Sequence, residues 1–316
     1  MVNFTAVSVS EALRLPSAGT QGQVHSIYKD YLNIHVSGRL VALFRSGSVP
    51  IPFGIEVKVP ESWLELGIRP HQVVSFLPEG IVMGETIIID GLRQCPAYSC
   101  RPQIAQRPGP DELVKRLHLL YQLSLEVNKD GGISTYIGPF DPASFWVRAN
   151  FSGGVMGGRV QQKVEALVTG ILQNEELLIM EGVCGLLGVG PGLTPSGDDF
   201  LLGFFSGLGC AGVEACSSAM GTMAYHVGLN APRMTTLVAA EYLKHGIQGM
   251  FHQHLVDFAE AFLGKDLEKM LISARQVLQL GHFSGGDILI GFVYGCYTAL
   301  RVADTTNTKG GAHEDL

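Results

Sequence analysis

Two segments of this chain repeat one unusual pattern at an offset of 88 residues, from Ser196 to Ser284. Ser196-Gly-Asp-Asp-Phe-Leu-Leu-Gly-Phe204 aligns with Ser284-Gly-Gly-Asp-Ile-Leu-Ile-Gly-Phe292, sharing Ser, Gly, the second Asp, Leu, Gly and Phe. Each reads as a helix start, with a Ser cap and an acid (Asp199, Asp287) in the first turn. Each then becomes apolar on all sides, which only a central helix tolerates. The chain must therefore fold around two buried helices of like N-terminal chemistry. Two such ends can meet at one pocket, each bringing N–H groups and a carboxylate. The plainer alternative is two ordinary core helices, whose caps and first-turn acids are worth about 1 kcal/mol each.

The first copy has a more elaborate approach, Gly188-Val-Gly-Pro-Gly-Leu-Thr-Pro195. Glycines at alternate positions free the backbone for positive φ, and the two prolines stiffen the turn. A rigid glycine turn feeding a helix aims N–H groups at an anion. The segment lacks the Lys-Ser/Thr ending of a P-loop, and no βαβ context supports a dinucleotide site. What remains is a compact anion site built from Gly190, Gly192, Thr194, Ser196 and Gly197, with Ser284 and Gly285 completing it from the second copy. Asp198, Asp199 and Asp287 are awkward beside an anion unless they point away, hold a cation or receive an N–H donor. A ligand with an anionic end and an NH₂ end satisfies both halves. These three acids are the candidate catalytic groups.

Other candidates lie nearby. Asn230-Ala-Pro-Arg-Met-Thr-Thr236 reads as a helix opening in which Arg233, Thr235 and Thr236 can meet a carboxylate. His282 precedes the second Ser-Gly-x-Asp and can donate to a ligand, although a histidine at a helix end is commonly structural. His252-Gln-His254 has no acid or cysteine cluster around it, and Cys95 and Cys100 have no second pair, so neither reads as a metal centre. No metal or cofactor is expected on this reading, and no Ser-His-Asp triad is legible. In the alternative reading Asp198, Asp199 and Asp287 hold Mg²⁺ for phosphoryl or acyl-phosphate chemistry. A third reading is a scaffold whose glycine turns only pack against a catalytic partner.

The rest of the chain predicts an α+β protein. Residues from about 20 to 100 contain short branched and aromatic runs, including 23–28, 32–36, 40–44, 55–59, 73–77, 80–83 and 86–89, punctuated by Gly and Pro. Such spacing suits a small β barrel or sandwich. Glu112–Val127 behind an Asp111 cap, then 159–180, 197–212, 217–228, 236–246, 255–263, 267–280 and 285–303, read as helices. The expected layout is a β-rich domain over 1–105, a larger all-α domain with two buried central helices over 106–303, and a disordered tail from 304. Charged residues make up only 16% of the chain, which points to apolar surface hidden against partner chains. A formal charge of −7 argues against nucleic acid. Met1 to Leu15 lacks the regions of a signal peptide, and the longest apolar runs are too short to span a bilayer. The six scattered cysteines suit a reducing cytoplasm.

Several of these motifs belong together. Gly190-Pro-Gly-Leu-Thr-Pro-Ser196 with Asp198-Asp199, Thr235-Thr236 opening a helix that reaches Tyr242-Leu-Lys-His-Gly246, and Leu280-Gly-His-Phe-Ser-Gly-Gly-Asp287 resemble the small subunit family of oxamate carbamoyltransferase. The motifs span about residues 185 to 295, whereas the β region resembles the family only in size and texture. The resemblance implies a cytoplasmic multi-subunit carbamoyltransferase of anaerobic allantoin catabolism. Its partners would be a succinyl-CoA-synthetase-like subunit and a larger third subunit. It implies interconversion of oxalurate plus phosphate with oxamate plus carbamoyl phosphate. Carbamoyl phosphate has the required form, a dianionic phosphate at one end and an NH₂ at the other. Such transfer relies on positioning and oxyanion stabilisation rather than a covalent nucleophile.

Overall fold

The computed structural model describes residues 2–59, 61–127, 131–135, 154–212 and 214–310. The glycine-rich stretch after Asp130 lies largely outside the described residues. The chain divides into two compact units, residues 1–101 with 250–253 and residues 102–249 with 254–316.

The first unit is a closed barrel. Its strands are β1 (Val2–Ser10), β2 (Gln21–Ile27), β3 (Tyr31–Val36), β4 (Arg39–Arg45), β5 (Gly54–Val57), β6 (Val73–Phe76), β7 (Ile81–Met83), β8 (Ile87–Asp90) and β9 (Ala97–Tyr98). The order β5-β4-β3-β2-β6-β7-β8-β1 closes through a β1–β5 pairing, and β9 adds to the far half of β1. An eight-strand ring has an interior that side chains just fill. Phe4, Val24, Ile34, Val57, Met83 and Trp63 fill it here. The β3–β4 hairpin turns on Ser37-Gly38, both at positive φ (51° and 75°), as a two-residue turn of this hand requires. The barrel therefore resolves the barrel-or-sandwich expectation. It also contains β1, which the strand reading omitted: Phe4 and Ala6 point inward from it on alternate positions.

The second unit is helical among its described residues: α1 (Pro110–Val127), α2 (Gly154–Gln173), α3 (Glu176–Leu186), α4 (Ser196–Ala211), α5 (Ser217–Met234), α6 (Leu237–Gly246), α7 (Gln253–Leu263), α8 (Leu267–Leu278) and α9 (Ser284–Gly310). Several boundaries differ from expectation, three of them with a clear cause. Pro110, with no N–H to leave unpaired, begins α1, so Asp111 lies inside its first turn rather than capping it. The predicted helix over 159–180 is two helices, because Asn174 takes a left-handed φ of 56° and folds α3 back on α2. Helix α9 runs on to Gly310, through residues that composition assigned to the tail.

Helices α4 and α9 form the centre. Every side chain from Ser196 to Leu208 is buried, as are those from Gly285 to Ala299. They pack backbone to backbone through four glycines. A Cβ at Gly203 would overlap the carbonyl of Ile288, and one at Gly207 that of Phe292. Reciprocally, a Cβ at Gly291 would overlap the carbonyl of Phe200, and one at Gly295 that of Phe204. The 88-residue offset of the sequence repeat exchanges the first two pairings with the last two. The two helices therefore run parallel and in register, related by a local two-fold, with both N-termini at the same end. The symmetry extends to what precedes them: Gly197 abuts the carbonyl of Leu186 at the end of α3, and Gly285 that of Val277 near the end of α8.

Candidate functional site

The parallel pairing places both helix N-termini at one cavity of about 360 Å³. It is at the small end of ligand pockets, a size for a metabolite. Thr194, Ser196, Asp199, His282, Ser284 and Asp287 line it, together with Gly192. A larger hollow of about 630 Å³ between α3 and α5 is lined by a mixture of Leu177, Met180, Tyr225, Ser217, Ser218 and Thr222, with no buried acid. The buried acids Asp199 and Asp287 line the smaller cavity.

Its first wall is the glycine turn. Gly188, Gly190 and Gly192 take φ values of 72°, 108° and 102°. At Gly192 there is open space around a would-be Cβ, so only the dihedral demands glycine. At Gly190 both apply, since a Cβ would sit 2.9 Å from the Ser196 nitrogen. Among the described residues, the N–H groups of Leu193, Thr194 and Ser196 have no protein acceptor. Those of Gly197, Asp198 and Asp199 are already used, by Val189 at 2.8 Å and by Pro195 at 2.9 and 3.0 Å. The N-cap is Pro195, and Ser196 is the first helical residue, making no cap bond. Ser284 is likewise the first residue of α9. Neither serine is thus the cap that the sequence suggests, because both hydroxyls are turned to the partner helix.

The exchange is reciprocal. The Ser284 hydroxyl faces Asp199 and the Ser196 hydroxyl faces Asp287, each favouring the charged carboxylate. Thr194 adds a second hydroxyl at Asp199 and meets Ser284 at 3.1 Å. Asp287 also accepts the Ile133 N–H at 2.7 Å. That contact could not be read from sequence, since it uses only backbone from a distant segment. Burial outweighs these bonds. It raises Asp287 to about 7, with the Ile133 N–H and Ser196 hydroxyl opposing. It raises Asp199 well above the carboxylate range, Ser284 opposing and the nearby Asp287 charge adding to the rise. Asp199 is 4% exposed, and its Oδ2 has no hydrogen-bond partner among the described residues.

The remaining candidates stand elsewhere. Asp198 faces away from the cavity, accepting from Thr235 Oγ1 at 2.5 Å and from the Gly188 N–H at 3.2 Å. Burial raises it to about 6, against the pull of those two donors. Thr235 thus serves Asp198. Thr236 caps α6 through the Ala239 N–H at 3.0 Å and donates to the Leu193 carbonyl, bracing the glycine turn from behind. Arg233 is exposed in the last turn of α5, which extends past Pro232 instead of ending before it. Gly197 and Gly285 shape the helix starts by close packing without lining the cavity. Sequence reasoning passed over Pro191, Leu193, Gly281 and Phe283 as lining residues. Gly281, at φ 57°, is the feature that marks the second turn. Among the described residues no three His, Cys, Asp or Glu side chains converge as a metal site. No described helix is long and apolar enough to cross a membrane.

Residues 186–296 match the family described as oxamate carbamoyltransferase subunit AllH, and residues 5–96 match the AllH family N-terminal domain. The first match contains the whole glycine turn, α4 and the start of α9. No solved structure matches this chain.

Proposed function

The chain belongs to the AllH family of oxamate carbamoyltransferase subunits, and from that premise we propose that its paired-helix cavity binds carbamoyl phosphate and the ureido acid it is exchanged with. The phosphate sits on the N–H groups and hydroxyls of the Leu193–Ser196 corner, where two helix N-termini add positive potential. The carbamoyl NH₂ faces Asp199 and Asp287. The reaction interconverts oxamate plus carbamoyl phosphate with oxalurate plus phosphate, in a cytoplasmic complex with a succinyl-CoA-synthetase-like subunit and a larger third subunit.

One observation carries this reading: two in-register N-termini share a cavity in which each helix's serine serves the other's aspartate. Two ionised carboxylates there would repel a phosphate. Burial removes the conflict by making a second charge costly, so one carboxyl stays neutral, tolerates an adjacent anion and can donate as well as accept. Fixed donors aimed at the reacting carbonyl and phosphate then stabilise developing negative charge without reorganising.

The test is the complex reconstituted with its partner subunits and assayed for phosphate-dependent release of oxamate from oxalurate. Thr194→Ala with Ser196→Ala removes two hydroxyl donors worth about 1–1.5 kcal/mol each, so kcat/KM falls about 30-fold or more. Full activity in that double variant, with assembly intact, sinks the proposal and leaves the scaffold reading in its place.

A further inference from the structure

The local two-fold makes Asp199 and Asp287 equivalent in backbone, and the places where the symmetry breaks separate their tasks. Asp287 faces the Ser196 hydroxyl and also accepts a 2.7 Å bond from the Ile133 N–H. Asp199 receives hydroxyls only, from Ser284 and Thr194, and is 4% exposed. A peptide N–H is a donor that cannot turn, so it fixes a carboxylate as an acceptor. A hydroxyl can turn, giving its proton or accepting one, so it suits a carboxyl that changes protonation during turnover. Thr194 and Ser284 touch one another at 3.1 Å and can reorient together. The other ionisable groups facing Asp199 are Asp287 and Asp198, with His282 at the cavity lining.

The geometry points to Asp199 as the proton carrier of carbamoyl transfer and to Asp287 as the fixed acceptor that grips the carbamoyl NH₂; this rests on the pocket reading above. In the phosphorolytic direction a phosphate oxygen attacks the ureido carbonyl carbon and forms the C–O bond. The C–N bond to the oxamate nitrogen breaks, and that nitrogen leaves as an amide only if protonated. Asp199, neutral, gives its proton to the departing nitrogen and takes the proton that hydrogen phosphate carried. The carboxyl ends the cycle as it began, and the products are carbamoyl phosphate dianion and oxamate. The reverse direction runs the same transfers backwards. Burial and the neighbouring Asp287 charge, which hold Asp199 far above the ordinary carboxylate range, keep the required proton in place.

The experiment compares Asp199→Asn, Asp199→Glu and Asp287→Asn in the assembled complex. Turnover is measured alongside calorimetric binding of phosphonoacetamide, a carbamoyl phosphate analogue with methylene for the bridging oxygen. Asp199→Asn is expected to bind the analogue within about threefold of wild type while kcat falls by about 100-fold or more, the usual scale of general acid–base loss. Asp199→Glu regains part of that kcat because it returns a carboxyl. Asp287→Asn weakens analogue binding by about tenfold or more, as loss of a charged hydrogen bond does. Intact binding with lost turnover in Asp287→Asn, or equal binding losses in both Asn variants, overturns the division while leaving the pocket. No binding of the analogue to wild-type complex that turns over removes the pocket reading, and this inference with it.

Discussion

Substituting Gly203 by Ala tests the central claim about the fold, that α4 and α9 interlock at backbone distance. The added Cβ lands on the Ile288 carbonyl oxygen and within 2.9 Å of the Phe292 nitrogen, both backbone atoms that cannot rotate away. Alanine gains about 1 kcal/mol over glycine in helix propensity, whereas overpacking a tight core costs about 1–3 kcal/mol and more when backbone must move. The expected net loss is about 2 kcal/mol. For a domain of roughly 200 residues that lowers Tm by about 4–8 °C. Gly221 is the control: it lies in helix α5 with no atom within 4 Å of a would-be Cβ, so Gly221→Ala keeps the propensity gain alone. Thermal and urea unfolding followed by far-UV circular dichroism should therefore separate the two variants by about 3 kcal/mol. Gly203→Ala combined with its symmetry partner Gly291→Ala should cost less than twice the single change, since the helices have already parted. If Gly203→Ala proves as stable as Gly221→Ala, the interlock is wrong, and with it the argument that brings two N-termini together.

Two further outcomes follow from the buried acids. Asp287 titrates at about 7 and Asp198 at about 6 in the fold, against 3.8 for each free group. The folded chain thus binds more protons than the unfolded one across that window, so these groups stabilise most below pH about 4 and lose their contribution as pH rises towards about 7, with a limiting slope of about 1.4 kcal/mol per pH unit per carboxyl. Urea midpoints measured at several pH values should show a falling limb that Asp287→Asn flattens; a rise with pH in this window contradicts the burial argument. Thr235→Val removes the 2.5 Å donor to Asp198 and leaves a buried carboxyl with one fewer partner. The expected loss is about 1–3 kcal/mol of stability, with analogue binding retained because Asp198 does not line the cavity. A selective loss of binding in a fully stable Thr235→Val would return Asp198 to the ligand.

What the sequence disclosed follows the range of the forces involved. Strands β2 to β8 were legible because alternation and turn residues are local. Strand β1 carries the same alternation but stands apart from the Gly- and Pro-punctuated run that begins near residue 20. Its role in closing the ring depends on pairing with β5 about fifty residues away, which no local pattern announces. The paired helix starts were visible as a repeat. Their parallel register was also latent, in glycines four apart at 203 and 207 and again at 291 and 295. That spacing names a close-packed face but not its partner. The adjacent acids show the limit of residue type alone: successive helical residues project about 100° apart, so Asp198 and Asp199 cannot both enter one cavity. Which one enters is decided by Thr235 and Gly188, which hold Asp198 outside. Arg233 was placed at a helix start when it stands at a helix end, because α5 continues through Pro232.

The parallel pair is electrostatically the wrong way to pack two helices, and that is what gives the site its character. Each N-terminus carries about +0.5 of an elementary charge, and placing two side by side concentrates roughly one positive charge at the cavity. An antiparallel pair would have cancelled it. The four glycine contacts hold the arrangement against this repulsion through close backbone packing. One ionised carboxylate in the two first turns neutralises the helix ends; a second would overshoot and exclude an anion. Burial of both Asp199 and Asp287 prevents that overshoot by making the second charge costly. On the proposed reading, retention of a proton on the pair and acceptance of a phosphate are therefore one coupled event. In the proposed reaction, a proton kept because an anion has arrived is also a proton positioned for the leaving nitrogen, so the packing that strains the helix pair would supply both the binding charge and the acid.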